Sequence, residues 1–428
     1  MSLISDNRIN FSYDGELNPK NILTTGYFPD GQYSGVFNDG SDTYIYRDSL
    51  GINKLFYGPN RQGDILFANQ LTDLLKREVT YNNILSCPAG QILKKKGKIF
   101  QKIHGVSIST IKPDVPFNLK KFRTIVSDRL TYAFKYLSEN IAKNKTVYVC
   151  LSGGLDSTII FHFAKRFFKK IKIVSFSFVN DADFLSYSQK KKPLKKLTLS
   201  DDFIAAKKIA AKEKIDFLAV IRPYRSILTV LESVLRYGQD WRDFNVHCAI
   251  INWFIGESIK KDCISSQDAL VVTGDLMNEF VADYREEKIN GQIFYQQMKS
   301  PTNVRRRFFV QGLDAGDREI GIFSAFDLSA IQPYASVAQQ YMKVPPKILD
   351  KIDCKLLLNK NLLGKRLKNF DLRNKTRAQV GGKDLGVLGY CQKNRISQEV
   401  LFNKWLHLTN SSRIIAQNLI QVGKYRFN

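Results

Sequence analysis

Apolar and polar positions divide the chain into two regimes. Up to about residue 113 the apolar residues come in short alternating segments, DGQYSGVFNDG, DTYIYRD, KLFYG and DILFANQ, punctuated by Gly, Asn and Asp. Period-two alternation broken by turn residues predicts short strands. PAGQILKKKGKIFQKI reads as a hairpin turning at Lys96-Gly97. Lys112-Pro113-Asp114-Val115-Pro116 is a linker. After it the period lengthens: Asn118 is placed to cap a helix whose one face carries Phe122, Ile125, Val126, Leu130, Phe134, Leu137 and Ile141. Two domains follow, a β-rich one over 1–113 and a second over 119–428.

The second domain alternates continuous apolar runs with helical patterns. Val147–Leu151, Ile171–Val179, the end of DDFIAAKKIAAKEKIDFLAV and Ala269–Thr273 are apolar on both faces, as parallel strands covered by helices must be. Ile159, Ile160, Phe163, Ala164 and Phe167 continue the first run as a helix. The expected class is α/β with a parallel sheet, which binds ligands at the carboxyl ends of its strands. Asp181–Ser200, polar and lysine-rich with Pro193, reads as a loop over that end. Ile227–Lys261 reads as one long helical stretch. The tail from 385 to 428 is helix-rich, with Val400, Leu401, Trp405, Leu406, Ile414, Ile415 and Leu419 at helical spacing.

Composition narrows the classes. At 428 residues and 44% hydrophobic content there is material for two full cores. No run of about 18 apolar residues suggests a membrane span, and the first residues lack a charged segment followed by an apolar one, so no signal peptide is expected. Six cysteines form no C-x-x-C pair, which argues against zinc or a redox pair and for a reducing, cytoplasmic location. Four scattered histidines suggest neither a metal centre nor a Ser-His triad. The net charge of +25 fits an anionic substrate, an acidic carrier protein or a peptide. Its lysines are spread along the chain, as in Gln189–Lys196, which favours a solvated surface over a nucleic-acid site. The sequence leaves a homodimer open.

Chemistry concentrates in TVYVCLSGGLDS, Thr146–Ser157. A strand ending at Leu151 meets a Ser152-Gly153-Gly154 turn, and a helix opens at Leu155-Asp156-Ser157. The glycines allow close backbone approach, the helix N-terminus attracts phosphate, Ser152 and Ser157 add hydroxyls, and Asp156 is a carboxylate available to Mg2+. The loop is not a Walker sequence. A plain strand-to-helix turn is the simpler alternative. Phe178, at the end of the second run, is placed to flank an adenine, whereas Phe176 suits core packing. The fourth run leads into Thr273-Gly274 and the acids Asp275, Glu279 and Asp283.

Strand, SGGxDS and helix resemble the pyrophosphate loop of the ATP pyrophosphatases. Three further segments resemble the asparagine synthetase family. VVTGDLMNE is similar to its strand ending in Ser-Gly-Glu-Gly-x-Asp-Glu: Thr273 and Gly274 match the part that contacts ATP, and Asp275 matches a glutamate tied to amine handling (a tyrosine in β-lactam synthetases). Asn278 stands where the family has a magnesium-binding aspartate, Glu279 matches the next acid, and Leu276 replaces a glycine. In GDREIGIFSAFDLSAIQPYAS, Arg318 and Gly321 fit, while Gln332-Pro333-Tyr334-Ala335 departs from Pro-Phe-Leu-Asp. In DLRNKTRAQVGG, Lys375 matches a lysine over the phosphate in the transition state. DGQYSGVF, YIYRDSLGINKLFYG, DILFANQLTDLL and LSCPAGQIL resemble the second half of the family's N-terminal glutaminase domain, whose nucleophile is an N-terminal cysteine; here residue 2 is Ser2 and the first cysteine is Cys87.

The resemblance implies an ATP pyrophosphatase (adenine nucleotide α-hydrolase-like) domain behind a degenerate, glutaminase-deficient N-terminal-nucleophile domain. It implies ATP and Mg2+ as cofactors, with Asp156 and Asn278 as metal ligands, and Lys375 and Asp275 as catalytic residues. A carboxylic acid is adenylated and passed to an amine or ammonia. The donor is free ammonia, a separate glutaminase, or an amine on the substrate itself, as in β-lactam synthetases and lasso peptide cyclases. A tRNA-thiolating pyrophosphatase suits the charge but lacks its paired cysteines. A non-catalytic nucleotide-binding relative is the remaining alternative.

Overall fold

The computed structural model describes residues 3–97, 99–108, 111–281, 287–289, 292–294, 317–351, 353–364 and 386–410. The N-terminal region is β-rich, with two four-stranded sheets. One holds Leu3–Ile4, Ile65–Ala68, Phe56–Pro59 and Leu85–Ser86, and the other Ile99–Gly105, Gln91–Lys96, Asp42–Arg47 and Ser34–Asp39, each in that spatial order. Ile45 and Leu93 from the second sheet meet Tyr57, Ile65 and Phe67 from the first, with Leu55 and Cys87, in a buried apolar layer. The hairpin turns at Gly97, whose φ of +60° is left-handed.

The second region is built on a five-stranded parallel sheet. Its strands are β1 (Thr146–Cys150), β2 (Ile171–Val179), β3 (Asp216–Pro223), β4 (Ala269–Val272) and β5 (Ser329–Ile331), in spatial order β3-β2-β1-β4-β5. Val147, Val149, Ile173, Val174 and all of β4 are buried, which is why these strands read as unbroken apolar runs. Helix α1 (Leu119–Tyr136) precedes β1, and Asn118 caps it by accepting from Lys121 N at 2.9 Å. Helix α2 (Leu155–Phe167) follows β1, α3 (Asp201–Glu213) joins β2 to β3, and α4 (Ser226–Gly238) and α5 (Asp243–Asp262) join β3 to β4. The chain leaves β1 toward β2 and β3, then returns to lay β4 on the other side of β1. The strand order reverses between β1 and β4, and this switch point is where doubly wound sheets open a ligand crevice.

Two expectations change. Asp181–Ser200 is not a loop throughout: Asp181–Ser188 is helical, because Asn180 accepts from Asp183 N at 2.7 Å and the first turn holds Asp181 and Asp183. Ile227–Lys261 is two helices, parted where Gln239 takes a left-handed φ of +54°. Ser200 caps α3, accepting from Phe203 N at 3.3 Å.

The two regions share one apolar core, in which Leu71 and Leu74 join the side chains of α4 and α5. Polar contacts cross the same junction. Arg8 reaches Asp317 at 3.1 Å with both side chains buried. Gln239 accepts from Leu71 N at 2.7 Å, and Arg129 on α1 bridges Asp14 at 2.9 Å and Asp30 at 3.0 Å. Burial first, and Asp14 second, push the Asp30 carboxyl up to about 7, with Arg129 opposing. No helix among the described residues is long and apolar enough to cross a membrane.

Candidate active site

The β1–α2 loop is braced by its own hydroxyls. Ser157 Oγ accepts from Ser152 N at 3.2 Å, lies 3.0 Å from Ser152 Oγ and donates to Gly154 O at 3.3 Å. Gly154 N donates to Ser152 Oγ at 3.3 Å. Gly153 holds a φ of +77°, and a Cβ there would lie 2.4 Å from the Ala205 methyl on α3, so only glycine fits. Leu151 is buried beneath the loop. Gly154 caps α2 with no side-chain hydrogen bond, which presents the helix end to an anion.

The β4 loop comes up against it. Gly274 packs on the α2 N-terminus so closely that a Cβ would stand 3.0 Å from both Ser157 Cα and N. Thr273 Oγ1 donates to Glu319 Oε2 at 2.6 Å. Leu276 takes a φ of +84° while 2% exposed, a left-handed turn carried by a branched, buried side chain. A glycine would fit that backbone more easily, as the sequence comparison at this position suggested. The turn leads into the helix Met277–Val281, which carries Asn278 and Glu279.

Asp275 faces Arg318 in a two-point pair, with Nη2 at 3.0 Å from Oδ1 and 2.9 Å from Oδ2. The same nitrogen lies 3.3 Å from Glu279 Oε1, and the guanidinium sits 5.4 Å from the Phe244 ring centroid. Glu319, next in the chain, is buried between Thr273 Oγ1 and Gln332 Nε2, the latter at 2.9 Å. Burial, then repulsion from Asp275, push its carboxyl up to about 8, while Thr273, Gln332 and Arg318 pull the other way. Nothing in the local pattern marks Glu319, one acid in a charged stretch.

Lys355 is the other residue missed. Its Nζ lies 2.9 Å from Asp156 Oδ2 and also donates to Asn278 Oδ1, with only 12% of the lysine side chain and 9% of the aspartate exposed. Tyr334 Oη donates to Asp156 O at 2.9 Å, fixing the backbone beneath. One lysine in KIDCKLLLNK has no distinguishing pattern.

The site thus brings together Ser152, Gly153, Gly154, Asp156, Ser157, Thr273, Gly274, Asp275 and Asn278. Phe178 lies at the end of β2 but is buried, stacked 5.0 Å from Tyr224, which stacks in turn on Tyr390 at 5.7 Å; Phe176 stacks on Phe254 at 6.0 Å. Lys375 and Asp283 lie outside the described residues. Among the described residues no group of three or more His, Cys, Asp or Glu could hold a metal ion. All six cysteines are free.

Sheet order, loop and facing β4 turn define an ATP pyrophosphatase fold. The family model described as Asparagine synthase matches residues 138–309. Over that stretch the chain is similar to the asparagine synthase family, whose members are ATP-using synthetases. Among solved structures, the NH3-dependent NAD synthetase from Campylobacter jejuni is similar at 14% identity over 45% of this chain and 73% of that one, TM-score 0.24. An NMN synthetase from Francisella tularensis is similar at 13% identity over 61% and 98%, TM-score 0.26. At those scores neither likeness bears on activity. Comparison with curated proteins finds no match.

Proposed function

We propose that the chain is an amide synthetase that activates a carboxylic acid with ATP. The substrate carboxylate attacks the α-phosphorus, the bond to the β-phosphate oxygen breaks, and pyrophosphate leaves. An amine or ammonia then attacks the acyl-adenylate carbon. The amide forms, AMP departs and the amine loses a proton.

The observation that carries this reading is the junction of the two loops at the switch point, where Gly274 rests on Ser157. It sets a phosphate-binding helix end beside Thr273 and the Asp275–Arg318 pair. The loop Ser152–Ser157 would hold the pyrophosphate portion through backbone N–H groups and hydroxyls. Arg318 orients Asp275, which faces the incoming amine, and Lys375 would neutralise charge as AMP or pyrophosphate departs. A divalent cation carried by ATP supplies further charge neutralisation on the phosphates. The N-terminal region acts as a docked scaffold without glutaminase chemistry, so glutamine supports product formation no better than ammonium; a clear preference for glutamine would refute that role.

The test is carboxylate-dependent exchange of labelled pyrophosphate into ATP, run over a panel of carboxylic acids. Exchange should appear with at least one acid and vanish in Asp156→Asn with the fold retained. Exchange undiminished in that variant removes Asp156 from the site.

A further inference from the structure

Asp156 and Asn278 are the two side chains from which the family resemblance builds a protein-held Mg2+ site. They do not fit one here. Asn278 brings an amide where a second carboxylate would bring charge, and the Lys355 ammonium already lies between the two, 2.9 Å from Asp156 Oδ2 and hydrogen-bonded to Asn278 Oδ1. We propose that Lys355 is a tethered cation that stands in for a protein-held divalent ion at this pair. Whatever metal the reaction uses then arrives on the nucleotide.

The ammonium is positioned by packing. Lys355 belongs to the short helix Cys354–Asn359, whose ends clasp the helix that carries Asn278. Cys354 Sγ donates to Val281 O at 3.9 Å, and Asn359 Nδ2 reaches Met277 Sδ at 3.5 Å. Asn359 Oδ1 accepts from the buried Tyr341 hydroxyl, and Arg123 of α1 donates to Leu357 O. On the other side, Tyr334 pins the Asp156 backbone. Lysine and asparagine are therefore held together by this clasp and the aspartate by its own anchor, and the ammonium fills the space between the two oxygens.

The charge balance agrees. A hard cation such as Mg2+ is held by charged oxygens in near-octahedral array. One carboxylate and one amide supply a single negative charge, which the ammonium matches. A divalent ion at the same two oxygens would meet the ammonium at close range, where the repulsion is strong because the site is shielded from water. The exchange of charge for amide at 278 and the seating of Lys355 are two parts of one arrangement.

The probe is Mn2+ alone, added to the nucleotide-free full-length chain and followed by electron paramagnetic resonance of the free ion. The wild type should show no Mn2+ uptake that Asp156→Asn removes. The double variant Lys355→Met with Asn278→Asp should take up Mn2+ at least about tenfold more tightly, since ligand charge sets the affinity of oxygen sites for hard cations. Adding Asp156→Asn to that double variant should abolish the gain. Uptake by the wild type that Asp156→Asn removes would overturn the proposal, as would a folded double variant with no gain. If the double variant fails to fold, the wild type compared with Asp156→Asn still decides. The readout involves no turnover, so it stands or falls apart from the proposed reaction.

Discussion

Gly274 and Ser157 touch backbone to backbone: a Cβ on residue 274 would lie 3.0 Å from the Ser157 Cα and N. This contact joins the β4 turn to the phosphate loop and sets the width of the crevice. Neither neighbour is a flexible side-chain end, so the strain cannot relax locally. Gly274→Ala should destabilise the fold by about 1–3 kcal/mol and weaken ATP binding more than it changes the overall structure. Denaturant unfolding and ATP titration together check this; unchanged affinity would mean that the two loops do not form one site.

Arg318 satisfies Asp275 at two points and Glu279 at a third. Its side chain is 13% exposed and that of Glu279 2%, so the ion pairs are shielded from water. Arg318→Met removes the cation shared by both carboxylates and should cost about 3–5 kcal/mol. Arg318→Lys should recover part of that stability, but not the two-point geometry, and turnover should stay low. Unfolding curves and steady-state rates on both variants separate the contributions. Equal rates for Arg318→Lys and wild type would rule out orientation of Asp275 as the role of Arg318.

Glu319 gives a pH signature. Its carboxyl is pushed from the ordinary 4.5 up to about 8, by burial first and Asp275 second. An acid whose folded value is raised favours the protonated native state, so its contribution to stability is fully present below about 4.5 and is lost as pH rises toward 8. Glu319→Gln keeps the acceptor for Thr273 and Gln332 without the charge. The variant should therefore gain on the wild type in unfolding free energy between pH 4.5 and pH 8. Parallel pH dependences would show that Glu319 is ionised normally.

The strands of the sheet were legible because burial on both faces leaves unbroken apolar runs, as in Val147–Leu151 and Ile171–Val179. The phosphate loop was legible because its glycines and hydroxyls are contiguous. The pairings across the crevice were not. Arg318 meets Asp275 from 43 positions away, and Lys355 meets Asn278 from 77. No local period links such residues; strand order and short helices bring them together. The Asp181–Ser188 helix was hidden for the opposite reason, since its amphipathic pattern is faint and it rests on the Asn180 cap. Leu276 was visible only as an unusual residue, and the structure adds that it bends through a left-handed turn.

The central claim is that ATP is cut between its α- and β-phosphates to activate a carboxylate. The most direct measurement is the phosphorus NMR spectrum of ATP turned over by the full chain with candidate carboxylic acids and ammonium. The account predicts AMP and pyrophosphate in equal amounts, formed only when an accepted acid is present. ADP and inorganic phosphate as the products would contradict it.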